Sequence, residues 1–210
     1  MIKLYAINIS KGIEPKIFDK LLQYVSKEKQ EKIKRFISNK DALRTLIGDI
    51  LIRYIICRNL SILNENIVFE VNEYGKPYLK NSKDFYFNIS HAGDWVVCAV
   101  GKSDVGVDVE LVKDKGIELN IANSFFSAEE YQYLMLQREE ERVDYFYELW
   151  TLKESYIKAV GKGLSIPLNS FCIIKNNNVI KVVSKNNPDS FYFKQYFLDS
   201  KYKLAICVYE

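Results

Sequence analysis

The spacing of apolar residues changes period several times along the chain. Met1 to Ile9 has a short strand pattern, and Glu14 to Val25 has the pattern of an amphipathic helix. Lys27 to Phe36 is strongly charged and also reads as helix. Between Asp41 and Leu60, the residues Leu43, Leu46, Ile47, Ile50, Leu51, Tyr54 and Ile55 recur every three or four positions, which predicts a long helix capped by Asn39 or Ser38. Strands are predicted at Ile67–Val71, Phe85–Ser90, Trp95–Val100 and Val105–Glu110. The turns between them, His91 to Asp94 and Gly101 to Asp104, are short enough to favour an antiparallel sheet.

The second half starts again with helix. Ser127 followed by Glu130 has the spacing of a capping box, and a charged helix or loop runs to Arg142. Asp144 to Val160 predicts a second long helix, ended by Gly161-Lys162-Gly163. Strands follow at Ser170–Ile174, Val179–Val183, Phe191–Phe197 and Lys203–Tyr209, the first two joined by a turn at Lys175 to Asn178. Helices followed by antiparallel strands thus occur twice. Weak echoes accompany the repeat: Phe36-Ile37-Ser38 with Phe126-Ser127, and Leu51-Ile52-Arg53 with Tyr156-Ile157-Lys158. The expectation is an α+β fold of two pseudo-symmetric subdomains, residues 1–104 and 105–210, each a long helix on an antiparallel sheet. No linker rich in Pro, Gly or Ser divides them, so they should pack closely and share one cleft.

With 210 residues, 48% hydrophobic and 27% charged, the chain can bury a substantial core. The net charge of +3 is too small to indicate nucleic acid, and Glu28 and Glu31 dilute the basic stretch Lys27 to Arg35. Cys57, Cys98, Cys172 and Cys207 are far apart and lack zinc spacing, so they read as buried thiols in a reducing cytosol. No signal-peptide core or membrane-length apolar run is present, and a soluble cytoplasmic protein is expected.

The segment Val105-Gly106-Val107-Asp108-Val109-Glu110 carries the first chemistry. On a strand its three valines share one face, while Gly106, Asp108 and Glu110 share the other. Two like charges about 6.5 Å apart on a strand repel unless a cation lies between them, so this face calls for a metal or open water. Trp150, Glu154 and Lys158, spaced by four, share one face of the second long helix. Each feature has an ordinary alternative: a helical Glu154–Lys158 pair worth about 0.3–0.5 kcal/mol, or a solvated strand face. Together, Asp108, Glu110 and Glu154 form a candidate site for a hard divalent cation, Mg2+ or Mn2+ rather than zinc. Magnesium commonly bridges to substrate phosphates. Candidate phosphate ligands are Ser90 and His91 at a strand end, Lys29 and Lys32 one helical turn apart, and Arg44 and Thr45 where the long helix begins. The turn Tyr74-Gly75-Lys76-Pro77 would let backbone approach a ligand closely. Singly, these too read as surface residues or a plain hairpin turn.

Taken together, the motifs resemble those of the 4′-phosphopantetheinyl transferases of the surfactin-synthetase-activating type. The resemblance is carried by Tyr74-Gly75-Lys76-Pro77, Phe87-Asn88-Ile89-Ser90-His91, Val105 through Glu110 and Trp150-Thr151-Leu152-Lys153-Glu154-Ser155-Tyr156-Ile157-Lys158, with Gly161-Lys162-Gly163-Leu164-Ser165 extending it. It implies two pseudo-symmetric halves with the active site between them, and transfer of the phosphopantetheine arm of coenzyme A to a serine of an acyl or peptidyl carrier protein. By resemblance, Asp108, Glu110 and Glu154 hold Mg2+ against the pyrophosphate, and Lys158 and His91 neutralise phosphate oxygens. Lys29, Lys32, Arg44 and Thr45 belong to the 3′-phosphate pocket; Tyr74, Gly75, Lys76 and Pro77 flank the adenine with Ser90 nearby. Glu154 is the favoured proton acceptor, and Glu130 the second candidate because the resemblance puts a carboxylate there. Carrier proteins are acidic, which suits the mild positive charge, and Lys162 through Asn169 is expected to help dock them. A monomer is expected, with no nucleic acid or membrane partner. Two rival readings share the acidic set: a Mg2+-dependent pyrophosphate hydrolase, and a module that binds coenzyme A or a carrier without turnover.

Overall fold

The computed structural model describes residues 2–113, 119–176, 179–184 and 190–210, with only the backbone described at 119 and 120. Half of the turn expected at Lys175 to Asn178 lies outside these residues.

The elements come in one order, twice. The first half runs β1 (Lys3–Asn8), α1 (Pro15–Leu22), α2 (Lys27–Lys34), α3 (Asn39–Leu60), β2 (Phe69–Val71), β3 (Pro77–Leu79), β4 (Tyr86–Ala92) and β5 (Trp95–Gly101). The second runs β6 (Val105–Leu111), α4 (Leu119–Phe125), α5 (Ala128–Leu136), α6 (Glu139–Val160), β7 (Phe171–Asn176), β8 (Val179–Ser184), β9 (Phe191–Tyr196) and β10 (Tyr202–Tyr209). The sheets repeat as well. One has the order β1-β5-β4 and the other β6-β10-β9, and β2-β3 and β7-β8 are separate hairpins. All the pairings are antiparallel.

Local chemistry sets the element ends. Ser38, not Asn39, caps α3 by accepting from the Asp41 N–H. Ser127 and Glu130 form the expected capping box on α5. Gly161, at φ 79°, takes the left-handed position that closes α6. Helix α6 begins at Glu139 rather than Asp144, because its first turn, Glu139-Glu140-Glu141, is all charged and hides the apolar period while suiting the positive helix start. Strand β3 was not predicted; three residues are too few to show alternation. The turn expected from His91 to Asp94 is tighter, with β4 running through Ala92 and β5 resuming at Trp95. His91 is therefore a strand residue.

Alternation along the strands builds four layers. On β5, Cys98 and Val100 pack with Leu51, Ile52, Ile55 and Ile56 of α3. Val97 and Ala99 face the other way, against Val105, Val107 and Val109 of β6 and Leu204, Ile206 and Val208 of β10. Beyond that second sheet, Ala205 and Cys207 pack with Leu149, Leu152 and Tyr156 of α6. The order is α3, first sheet, second sheet, α6, with the valines of β6 in the seam between the halves.

Strand β6 lies at the edge of its sheet, beside β4 of the first half. Here side chains replace a backbone ladder. Asn88 Oδ1 accepts from the Val107 N–H at 2.9 Å, and Ser90 Oγ accepts from the Val109 N–H at 3.3 Å. Two polar residues spaced by two on β4 thus satisfy edge groups that would otherwise be buried unpaired. Gly106 allows α6 to lie on β6: a Cβ there would collide with the Ser155 carbonyl oxygen and the Ala159 nitrogen. The acidic face of β6 is therefore covered by a helix at its start and opens toward a cavity only at its end. Among the described residues, no helix is long and apolar enough to cross a membrane.

Candidate active site

Helix α6 delivers Trp150, Glu154 and Lys158, and β6 delivers Asp108 and Glu110, to a cavity of about 400 Å³ closed on its third side by Ile89, Ser90 and His91 of β4. Trp150 is held by Phe125 and Phe146, with ring centroids 5.7 Å away in each case. Asp108 is buried. Its Oδ1 accepts from Lys158 Nζ at 2.5 Å and from Ser90 Oγ at 3.0 Å. Lys158 Nζ also reaches Ser90 Oγ at 3.3 Å. The ammonium thus pairs with the strand, not with Glu154 as the helical spacing alone would suggest.

The electrostatics are those of crowded carboxylates. Burial raises the pKa of Asp108, opposed by Lys158. Burial, then the charges of Asp108 and Glu154, pushes Glu110 up to about 7. Burial also raises Glu154, with Lys158 opposing. Among the described residues, no three His, Cys, Asp or Glu side chains are gathered as a metal centre. The three acids share a cavity wall without closing on one point. The donor chemistry nevertheless fits a hard cation: all three donors are carboxylates, and Asp108 Oδ2 is buried with no hydrogen-bond partner among the described residues.

Next to this cavity is a second, of about 340 Å³, on the α3 side of the first sheet. Lys29, Lys32, Arg44, Thr45, Pro77 and His91 line it, together with Phe36, Asp41, Gly48, Asp49 and Ile89. A third, bounded by Asp41, Arg44, His91, Glu110, Lys113 and Tyr147, lies between the first two. His91 lines all three. A basic hollow at one end and an acidic one at the other therefore form a single trough across the seam. Partial burial, then the charges of Arg44 and Lys158, holds the His91 imidazole below its ordinary value, so it is neutral at pH 7 and offers a hydrogen bond rather than a charge.

Several sequence expectations fall elsewhere. Arg44 and Thr45 lie beyond the first turn of α3, which starts at Asn39, so free helix-end N–H groups are not theirs to offer. Arg44 instead donates to the Gly93 carbonyl at 2.6 Å and pairs with Asp41. Tyr74 is exposed, and Gly75 takes φ 87° with open space around it, so the turn geometry explains this glycine without a ligand. Lys76 crosses to the other half: its Nζ donates to the Ala159 carbonyl at 2.9 Å and meets Asp104 at 3.2 Å. Asn72 Nδ2 donates to the Gly161 carbonyl at 2.8 Å. The hairpin turn therefore grips the carbonyl end of α6, where a cation is favoured. Glu130 is apart from the trough. It is buried against Lys153 Nζ at 2.6 Å and accepts from the N–H groups of Ser127 and Ile173.

Sequence reasoning gave no role to Asn88, Asp49, Tyr147 or Lys113. Tyr147 could have been found, since it precedes Trp150 by three on the same helical stripe. The matching polar spacing of Asn88 and Ser90 was a second unused signal.

Two family descriptions divide the chain between them. The one for the N-terminal part of 4′-phosphopantetheinyl transferases matches residues 14–103, and the one for the 4′-phosphopantetheinyl transferase superfamily matches residues 104–207. The chain is 40% identical to the 4′-phosphopantetheinyl transferase Sfp of Bacillus subtilis (strain 168), over 98% of its own length and 91% of that protein. It is 43% identical to the 4′-phosphopantetheinyl transferase gsp of Aneurinibacillus migulanus, over 99% of its own length and 86% of that protein. This chain belongs to the 4′-phosphopantetheinyl transferase family. It is an enzyme, a transferase, and the resemblance noted from the motifs holds over nearly all of it. The boundary between the two matched regions falls in the turn between β5 and β6, where the repeat of elements begins again. Among solved structures, a holo-[acyl-carrier-protein] synthase from Neisseria meningitidis aligns with a TM-score of 0.44 at 18% identity, over 51% of this chain and 97% of that one.

Proposed function

We propose that this phosphopantetheinyl transferase moves the 4′-phosphopantetheine arm of coenzyme A to a serine of an apo acyl or peptidyl carrier protein and releases adenosine 3′,5′-bisphosphate. The observation that carries the detail is the single trough with cations at one end and carboxylates at the other. The 3′-phosphoadenosine end belongs with Lys29, Lys32, Arg44 and Thr45, in the half spanning residues 1–104. The diphosphate belongs with Lys158, Ser90 and His91, next to the acids of the half spanning 105–210. Asp108, Glu110 and Glu154 are the residues we assign to a magnesium ion, with manganese meeting the same donor preference. When bound, such an ion supplies positive charge to the diphosphate oxygens as the phosphorus–oxygen bond breaks.

The protein's own groups complete the chemistry. Lys158 offers its ammonium to the charge that builds on the diphosphate, and Ser90 and Asp108 hold that ammonium in place. His91 donates a hydrogen bond from the junction of the three hollows. Glu154, with its carboxyl raised by burial, is the group we assign to take the proton of the acceptor serine, directly or through water. Glu130, committed to Lys153, is the weaker candidate. We read the enzyme as a cytoplasmic monomer acting on an acidic carrier, with Lys162 through Asn169 next to the docking face.

The test is to incubate the protein with coenzyme A, Mg2+ and an apo carrier and to weigh the carrier. A gain of one phosphopantetheine arm on serine supports transfer; hydrolysis of coenzyme A with the carrier unchanged supports the hydrolase instead. Replacing Glu154 by Gln should lower turnover about 10²–10³-fold. Near-normal turnover of that variant at saturating Mg2+ would remove Glu154 from the role of base.

A further inference from the structure

Lys29 sits on α2, a helix of 8 residues that buries only Ile33. Its side chain keeps 35% of its exposure, and nothing on α2 itself fixes the direction of its ammonium. Its partner is Asp49 of α3, 5% exposed, with Oδ2 at 3.5 Å from the Lys29 nitrogen. The other oxygen, Oδ1, accepts from Arg53 Nε at 2.5 Å. Arg53 is fixed in turn by Asn64, whose backbone and side-chain oxygens both lie 3.4 Å from Nη1, and by Phe69, 5.2 Å beneath its guanidinium. Asn64 Nδ2 donates to the Tyr24 carbonyl at 2.9 Å.

A carboxylate in the wall of a basic hollow would oppose an anion if it acted alone. Here Arg53 offsets its charge from the side away from the cavity. What remains is a rigid acceptor on a long helix, set to draw a mobile lysine over the hollow. Fixing a lysine side chain costs more rotamer entropy than fixing most others, so an acceptor that orders it beforehand removes that cost from ligand binding.

We propose that Asp49 is a positioning residue that holds the Lys29 ammonium over the hollow shared with Lys32, Arg44 and His91, and so sets the preference for coenzyme A over dephospho-coenzyme A. This rests on the assignment of that hollow to the 3′-phosphate.

The experiment compares kcat/KM for coenzyme A and dephospho-coenzyme A in the intact protein and its variants, below the melting temperature of each. Lys29→Gln should lower the preference for coenzyme A about tenfold or more, the scale of a lost charge-assisted contact. Asp49→Asn should lower it about fivefold, with the loss falling on KM for coenzyme A rather than on kcat. Asp49→Glu should recover part of it, and Asp49→Asn combined with Lys29→Gln should be no worse than Lys29→Gln alone. Asp49→Leu combined with Arg53→Leu removes the buried pair without stranding either charge and must lose the same preference. Equal losses with both substrates, additive losses in the double variant, or an unchanged or increased preference in Asp49→Asn would overturn the proposal while leaving the phosphate assignment standing. If Lys29→Gln itself keeps the wild-type preference, the phosphate assignment fails and the proposal fails with it.

Discussion

Lys158 of α6 pairs with Asp108 of β6 at 2.5 Å across the helix–strand interface, and among the described residues no ion pair joins it to Glu154 one turn earlier. The lysine thereby leaves Glu154 lining the cavity, with no salt bridge to its carboxyl among the described residues. One charge pair sets both the position of the cation and the availability of the acid.

Removing that ammonium should be costly in two ways. Lys158→Met strands a buried carboxylate, and a loss of about 3 kcal/mol in stability is expected, the low end for orphaning a buried charge because Lys158 keeps some solvent. Turnover should fall about 10²-fold or more. Urea unfolding and steady-state kinetics measure the two effects separately; an unchanged unfolding midpoint would mean that Asp108 gains nothing from its partner.

The carboxylates predict a pH-dependent response to metal. Glu110 is raised from 4.5 to about 7 in the folded protein, so between those values the folded state holds a proton that the unfolded state has lost. Its contribution to stability is therefore full at low pH and declines as pH rises through about 7. A cation that pairs with the carboxylate relieves the repulsion only where the proton is gone. The rise in melting temperature on adding Mg2+ should be small at pH 6 and larger at pH 8, and Glu110→Gln should flatten the difference. Melting curves with Mg2+ or chelator at the two pH values decide it.

Glu130 and Lys153 should behave as a structural pair. Both side chains are essentially inaccessible, at 2% and 0% of full exposure, and burial pulls the lysine below its ordinary pKa. Either Glu130→Gln or Lys153→Met should destabilise the fold by about 3–5 kcal/mol. Turnover per folded molecule should stay near wild type. A folded Glu130→Gln protein with collapsed turnover would make Glu130 the stronger candidate for the base.

Gly106→Ala tests how closely α6 must approach β6. The added methyl would meet backbone, which cannot swing aside as a side chain can. A loss of about 3 kcal/mol or more is expected, the upper end of overpacking costs, together with loss of activity as Glu154 and Lys158 move away from Asp108. A variant that retains wild-type melting and turnover would show that the two elements separate freely.

The sequence revealed the elements whose apolar period was long. The stripe of α3 and the alternation of β6 were both readable, and β6 also announced its chemistry, since Asp108 and Glu110 sit on one strand face. It did not reveal what that face meets. Gly106 was read only as a position on that face, although its missing side chain is what admits the helix. Long-range pairing was equally hidden: nothing local in Lys153 or Lys158 says that one answers Glu130 and the other Asp108. The echo of Leu51-Ile52-Arg53 with Tyr156-Ile157-Lys158 was misregistered. α3 and α6 both have 22 residues, and with their ends matched Arg53 falls opposite Lys153, each a buried cation with an acidic partner.

Because Asn88 and Ser90, rather than a continuous ladder, bond β4 to β6, the polar join between those two strands depends on a pair of short side chains. A ladder would fix that spacing to the geometry of the peptide unit. Here it is set instead by the reach of one amide and one hydroxyl, and losing either would leave the Val107 or Val109 N–H without its acceptor.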